Sequence, residues 1–219
     1  MDEERVKMNL ENFYFFNGTS YAGKSTMVHL LAQKYDGIEC NENYHDNYEG
    51  ELDSKEFPAL CYTRDLKDWH DFIRRTPEEY AGWIEAAKKE CEIIELRMIE
   101  RMETNGRKVF VDTNICPETL RRITDRKHVM IMLTPRDIAI RRFFDRPDKE
   151  KQFLYQLMME EADPQAALDN YRKGLELICS QESYDRFLNC GFEVNIRDDS
   201  LGLEGTMALI EKKLGLHLP

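Results

Sequence analysis

The sequence predicts an α/β fold, a three-layer doubly wound parallel sheet in a single domain. Three observations carry that prediction. Short apolar runs alternate with helical segments along the chain, the pattern of strand–helix–strand crossovers. Five such runs occur, each separated from the next by helical sequence. The 219 residues hold no repeat and no Pro/Gly/Ser-rich linker, and 42% hydrophobic residues suffice for a packed core.

The elements follow in order. Residues 13–16 read as a short aromatic strand, followed by a Gly-bearing loop and a helix over 24–35 that Asp36 and Gly37 end. Residues 38–40 make a short second strand, and residues 41–76 are polar and aromatic without clean periodicity. A long helix then opens with Thr76 as N-cap, Pro77 at its first position and Glu79 completing a capping box. Its apolar residues Tyr80, Trp83, Ala87, Cys91, Ile94, Met98 and Met102 step by three or four and face a core; Asn105-Gly106 stops it. Strands follow at 109–111, ending in Asp112, and at 129–133. Thr134-Pro135-Arg136-Asp137 starts a helix expected to run to the break before Pro147. Asp163 and Pro164 cap a further helix expected to continue to about Gly191. Residues 192–196 form the last strand, and a final helix over 202–214 ends at Gly215. The stretch 41–105 is an insertion between the second and third strands, expected to be helical.

Composition narrows the function classes. A net charge of −11 argues against non-specific binding of nucleic acid or anionic membrane, since both need a basic surface. No apolar run is long enough to span a bilayer, and the acidic start does not resemble a secretion signal. The six cysteines are scattered, with no CxxC and no Cys/His cluster at zinc spacing, so reduced thiols and a cytoplasmic location are expected. Nothing in the sequence indicates an oligomer.

The strongest signal is Gly18-Thr19-Ser20-Tyr21-Ala22-Gly23-Lys24-Ser25, which matches G-x-x-x-x-G-K-[ST] at every fixed position. The glycines let the backbone curl around a β-phosphate with N–H groups pointing inward, and the helix behind adds its positive end. Lys24 reaches the β/γ-phosphates, and Ser25, followed by Thr26, places a hydroxyl for Mg²⁺. An N-K-x-D guanine motif is absent, and the strand after the insertion ends Asp112-Thr113 rather than Asp-Glu. Small-molecule and nucleotide kinases remain, with ATP as donor and Mg²⁺ as cofactor.

The segment from Thr134 to Arg146 resembles the lid-entry helix of adenylate kinase and its relatives, including shikimate kinase. The resemblance extends through Asn170-Tyr171-Arg172-Lys173, the last strand with its turn to Asp199, and the C-terminal helix. It covers about 12–38 and 107–215, and it implies the strand order 2-3-1-4-5 and a lid at 143–163. By that register Arg142 stacks over the adenine, Arg146 contacts ATP phosphates, Arg172 clamps the transferring group, and Arg197 lies in the adenine-contacting turn. Asp112 then organises Mg²⁺ and the acceptor. The family's acceptor signatures are missing: Asp112 is followed by Thr113-Asn114-Ile115-Cys116-Pro117, neither Gly-aromatic-Pro-Arg nor Gly-Gly-Gly. The acceptor is therefore expected to be neither AMP nor shikimate.

Independently of the resemblance, residues 121–151 hold ten Lys/Arg against five Asp/Glu, a basic patch in an acidic chain. Phosphoryl transfer needs such cations around the equatorial oxygens. Asp46 and Asp112 are the candidates to orient an acceptor hydroxyl, both near the carboxyl ends of strands. In the insertion, expected to lie on the acceptor's side, Arg64, Trp69, His70, Arg74 and Arg75 offer cationic and stacking groups for an acceptor, or simply pack. The expectation is thus a phosphotransferase moving the γ-phosphoryl group of ATP to a small-molecule hydroxyl or phosphate. The alternatives are an ATP-hydrolysing switch and an ATP-binding module with a protein partner.

Overall fold

A computed structural model describes residues 10–46, 52–145 and 149–217. Five strands, β1 (Phe13–Gly18), β2 (Ile38–Cys40), β3 (Val109–Asp112), β4 (Val129–Leu133) and β5 (Glu193–Ile196), form one sheet. Its order is β2-β3-β1-β4-β5 and every pairing is parallel. Central strands buried on both faces read as continuous apolar runs, and alternate side chains enter opposite cores. Phe13, Phe15, Val109, Val111, Val129, Ile131 and Leu133 join one cluster; Phe16, Phe110, Met130 and Met132 join the other.

Helices cover both faces, as a doubly wound sheet requires. On one side lie α1 (Lys24–Lys34) and α10 (Gly202–Leu214), supplying Met27, Leu31, Ile210 and Leu214. On the other side lie the C-terminal half of α4 (Pro77–Arg101), α5 (Pro117–Ile123) and α9 (Gln181–Leu188), supplying Ile99, Leu120 and Phe187. The remaining helices, α2 (Pro58–Asp65), α3 (Trp69–Ile73), α6 (Arg136–Arg141), α7 (Lys149–Met159) and α8 (Pro164–Ile178), complete the chain. A separate apolar cluster joins α3, the N-terminal half of α4, α7 and α8 through Phe72, Tyr80, Leu157, Met158 and Tyr171. Among the described residues no helix is long and apolar enough to cross a membrane, and all six cysteines are unpaired thiols.

Several expectations need correction. The segment without periodicity contains α2 and α3, and the stretch after Asp112 contains α5, opened by Pro117. The helix after Thr134 ends at Arg141, and Phe143–Asp145 continues as a 3-10 turn whose two phenylalanines pack on Tyr171. The helix expected to reach Gly191 is two helices. Ser180 breaks it: its side chain accepts from Ser183 N–H and so starts α9 instead of continuing α8. The capping box at Thr76 is present with both of its hydrogen bonds.

α4 is more than an amphipathic cover. Phe57 and Cys116 give no side-chain cap to α2 and α5. Carboxylates of α4 supply what is missing. Glu90 accepts from Ala59 N–H and Leu60 N–H at 3.1 and 2.9 Å, and Glu92 accepts from Cys116 N–H at 3.0 Å and from Thr119 Oγ1. One turn further on, the fully buried Glu95 accepts from Asn114 N–H and from Thr113 Oγ1.

Candidate functional site

The candidate site lies at the carboxyl ends of β1, β3 and β4, where open parallel sheets bind ligands. The loop 18–25 leaves β1 with its first residue wedged against β4. Gly18 has φ +131°, and a Cβ there would stand 1.9 Å from the Met132 carbonyl oxygen. Only glycine fits that approach. Thr19 then fastens the loop twice: its N–H donates to Met132 O at 3.0 Å, and its Oγ1 accepts from Thr134 N–H at 2.8 Å. Tyr21 has φ +65°, and its carbonyl accepts from Arg197 Nη1 at 2.7 Å. Ala22 is buried in the α1-side core, while Ser20 and Thr26 are exposed.

Gly23 is the N-cap of α1, at φ 87°, with no side-chain cap and no acid in the first turn. The positive end of an eleven-residue helix therefore faces the loop's concavity with its N–H groups free of side-chain acceptors. Three side chains meet beside it. Lys24 Nζ donates to Thr19 O at 3.1 Å and stands 4.0 Å from Asp112 Oδ1; Ser25 Oγ donates to Asp112 Oδ2 at 2.7 Å. Asp112 is 4% exposed, and burial pushes its carboxyl up from the usual range while Lys24 and Ser25 pull it down. Such a group is a hydrogen-bonded oxygen donor next to a helix N-terminus, suited to a hard cation or to a phosphate-bound cation. Among the described residues, no group of three or more His, Cys, Asp or Glu side chains is gathered to hold a metal by itself.

Neighbouring loops complete the rim. Asn17 donates through Nδ2 to Ile115 O at 2.6 Å, tying the loop after β3 to β1. Arg197 follows β5, donates its N–H to Leu133 O at 2.7 Å, and braces Asp199 through Nε at 2.6 Å. Past β2, Tyr44 and His45 are buried, and Asp46 is exposed with its Oδ1 3.5 Å from His45 Nε2.

Apart from Thr26 and Asp46, which are exposed and do not bond to the Lys24 group, the sequence-predicted residues divide into three sets. The first, Gly18 to Ser25 with Asp112 and Arg197, is brought together as described. The second is not: Arg142 is exposed at the end of α6, and Arg172 gives a guanidinium nitrogen to Asp169 on its own helix at 3.1 Å. Neither bonds to the Lys24 group. Arg146, the third, lies outside the described residues. In the insertion, Arg74 and His70 are occupied by Glu161, and Arg64 by Asp65. Arg75 sits among the rings of Tyr62, Phe72, Tyr80 and Trp83 at 4.1–5.5 Å, in the helical cluster of α3, α4 and α8. It is a packed cation, with burial pulling its guanidinium down from the usual value.

Two residues escaped the sequence reading. Glu95 is on the apolar face of α4, four residues after Cys91, and its carboxylate faces His45 Nδ1 at 3.6 Å as well as the loop after β3. A carboxylate on a buried helix stripe is the signal that would have found it. Glu42, two residues past β2, is near enough to Asp112 to push its carboxyl up, as Glu95 does. Set against protein-family models, curated proteins and solved structures, the chain matches none of them.

Proposed function

We propose that the chain is an ATP-dependent phosphotransferase of the adenylate- and shikimate-kinase-like group, moving the γ-phosphoryl group to a small-molecule acceptor. One observation carries the reading: the loop 18–25, with the G-x-x-x-x-G-K-S sequence, winds between a buried strand and an uncapped helix N-terminus beside Lys24, Ser25 and Asp112. The loop's N–H groups and the end of α1 bind the β-phosphate. Lys24, which now donates to Thr19 O, turns toward the β/γ-phosphates. Mg²⁺, when bound, neutralises charge on the β- and γ-oxygens. Ser25 and Asp112 are the residues that hold it, an oxygen pair that leaves room for phosphate and water ligands.

On this reading Arg142 and Arg146 approach with residues 143–163 as a lid, Arg172 clamps the transferring group and Arg197 borders the base. Asp46 orients the attacking oxygen. Of the basic stretch 121–151, Arg121, Arg122, Arg126 and Lys127 precede β4 and lie at the end of the sheet away from the site, so the cationic surroundings that transfer needs come from the residues after β4. The test is acceptor-dependent ADP release. The purified chain with MgATP is challenged with a broad set of hydroxyl and monophosphate metabolites, and stimulation by one of them is the expected result. ATP turnover unchanged across the set would refute transfer, and absence of heat with MgATP in calorimetry would refute the nucleotide site itself.

A further inference from the structure

The acceptor side of the site has a feature that the nucleotide-binding residues do not use. Asp46, His45 and Glu95 form a row running inward from the surface. Asp46 is exposed, its Oδ1 3.5 Å from His45 Nε2; His45 is 4% exposed, and its Nδ1 lies 3.6 Å from Glu95 Oε1. Glu95 is fully buried, and its oxygens are held by Thr113 Oγ1 and by the backbone and side-chain N–H groups of Asn114. Those two residues directly follow Asp112. The row therefore links the loop after β2 to the loop after β3, which leave the sheet side by side because β2 and β3 pair.

Among the described residues, the charged groups paired with His45 are both carboxylates. Residues 36–46 and 109–120 contain no Lys or Arg. Around His45 stand Asp46 on its own loop, Cys91 and Glu95 from α4, and the Tyr44 ring; Glu42 and Asp112 lie on the two strand ends. The Cys91 thiol, hydrogen-bonded with His45 Nε2 at 3.3 Å, is pushed up by burial and by Glu95, so it stays S–H. An anionic acceptor entering here would meet these carboxylates, while Lys24, 4.0 Å from Asp112, is engaged by the phosphates of the donor on the phosphotransferase reading.

Resting on the phosphotransferase reading, we propose that Asp46 is the base for an acceptor hydroxyl, that His45 and Glu95 are its positioning residues, and that the acceptor is an uncharged or cationic alcohol. In the step, the hydroxyl oxygen forms a bond to the γ-phosphorus while the bond to the β-phosphate bridging oxygen breaks. ADP leaves with that electron pair. The hydroxyl proton goes to the Asp46 carboxylate and from there to His45 Nε2, displacing the thiol hydrogen bond. Glu95 faces the resulting imidazolium charge at Nδ1. Partial burial of the half-exposed Asp46 side chain pushes its carboxyl up against the opposing effect of His45, which suits a base. A phosphate acceptor arrives ionised and would leave this row without a role.

The test uses the full chain, wild type and the variants Asp46→Asn, His45→Gln and Glu95→Gln. MgATP binding is measured by calorimetry. ADP release is measured against neutral polyols, amino alcohols, sugar monophosphates and hydroxy acids. Stimulation by polyols or amino alcohols alone is expected. Asp46→Asn should lower kcat about 10²–10⁴-fold. His45→Gln and Glu95→Gln should lower kcat about ten- to a hundredfold and shift the acid limb of its pH profile, with KM for MgATP unchanged. The two positioning variants are read separately, so a Glu95→Gln protein that fails to fold leaves His45→Gln to decide. Stimulation by phosphates or hydroxy acids overturns the proposal, as does an unaltered kcat and pH profile in His45→Gln. MgATP heat without stimulation by any alcohol also overturns it while sparing the nucleotide site. No heat at all fells both readings together.

Discussion

Replacing Gly18 by Ala should damage the protein far more than the same change at Gly23, although both glycines belong to one loop. At Gly18 the new methyl group would stand 1.9 Å from Met132 O and 2.8 Å from Met132 C, both rigid backbone atoms of the neighbouring strand. The backbone must also hold φ +131° with a side chain attached, which costs about 1–3 kcal/mol. Separating β1 from β4 at this point also loses the Thr19 N–H bond to Met132 O, worth about 1 kcal/mol. The total is about 3–5 kcal/mol once the displaced strand is included, a large share of the ~5–15 kcal/mol that holds a domain together. At Gly23 the nearest atom is the flexible Met132 Cε at 3.9 Å, so only the left-handed backbone strain of about 1–2 kcal/mol applies. Urea unfolding of the nucleotide-free variants, followed by circular dichroism, measures both. At about 2–4 °C per kcal/mol, thermal melts should separate them by several degrees. Equal destabilisation of the two variants would show that the loop is not wedged against β4 in this way.

Further outcomes are expected. Lys24→Ala should lower acceptor-dependent ADP release by at least about 10²-fold with little change in melting temperature, since its contacts are one hydrogen bond and one 4.0 Å approach; unchanged kcat contradicts its assignment. Glu118 joins α5 to α9 through Arg186 at 2.7 Å, and that guanidinium holds its carboxyl down to about 2. Because the folded value lies below the unfolded one, the stabilisation is present above the ordinary carboxylate range and is lost as pH falls from about 4.5 toward about 2. Both side chains are half exposed, so Glu118→Gln should cost only about 0.5 kcal/mol at pH 7, and the difference from wild type should vanish in acid. Ser180→Ala removes the cap of α9 and should cost about 1 kcal/mol in denaturant melts.

Much of this architecture was legible because the strands obey simple rules. The runs at 109–111 and 129–133 are apolar throughout, as strands buried on both faces must be, and Thr76-Pro77 with Glu79 marks a helix start by local chemistry alone. Errors arose where local signals were silent. Tyr184 and Phe187 prolong the apolar spacing of α8, so only the serine cap at Ser180, with Ser183 rather than an acid three residues on, separates the two helices. The site shows the same division. Lys24 and Ser25 are read from one contiguous motif, and their approach to Asp112 follows from β1 pairing with β3. Glu95 stands out in sequence only as a carboxylate on the apolar stripe of α4; its role is not legible there, because its partners are His45, fifty residues earlier, and a loop eighteen residues later.

The three glutamates of α4 have a mechanical consequence. A helix of 25 residues, fastened at Glu90, Glu92 and Glu95 to the starts of α2 and α5 and to the turn behind Asp112, is a fixed jaw. On the phosphotransferase reading proposed above, it would present the acceptor's side of the site already set, so that little ordering would be needed there when a substrate arrives. On the same reading, exclusion of water would fall to the opposite side, where the short α6 is followed by a 3-10 turn.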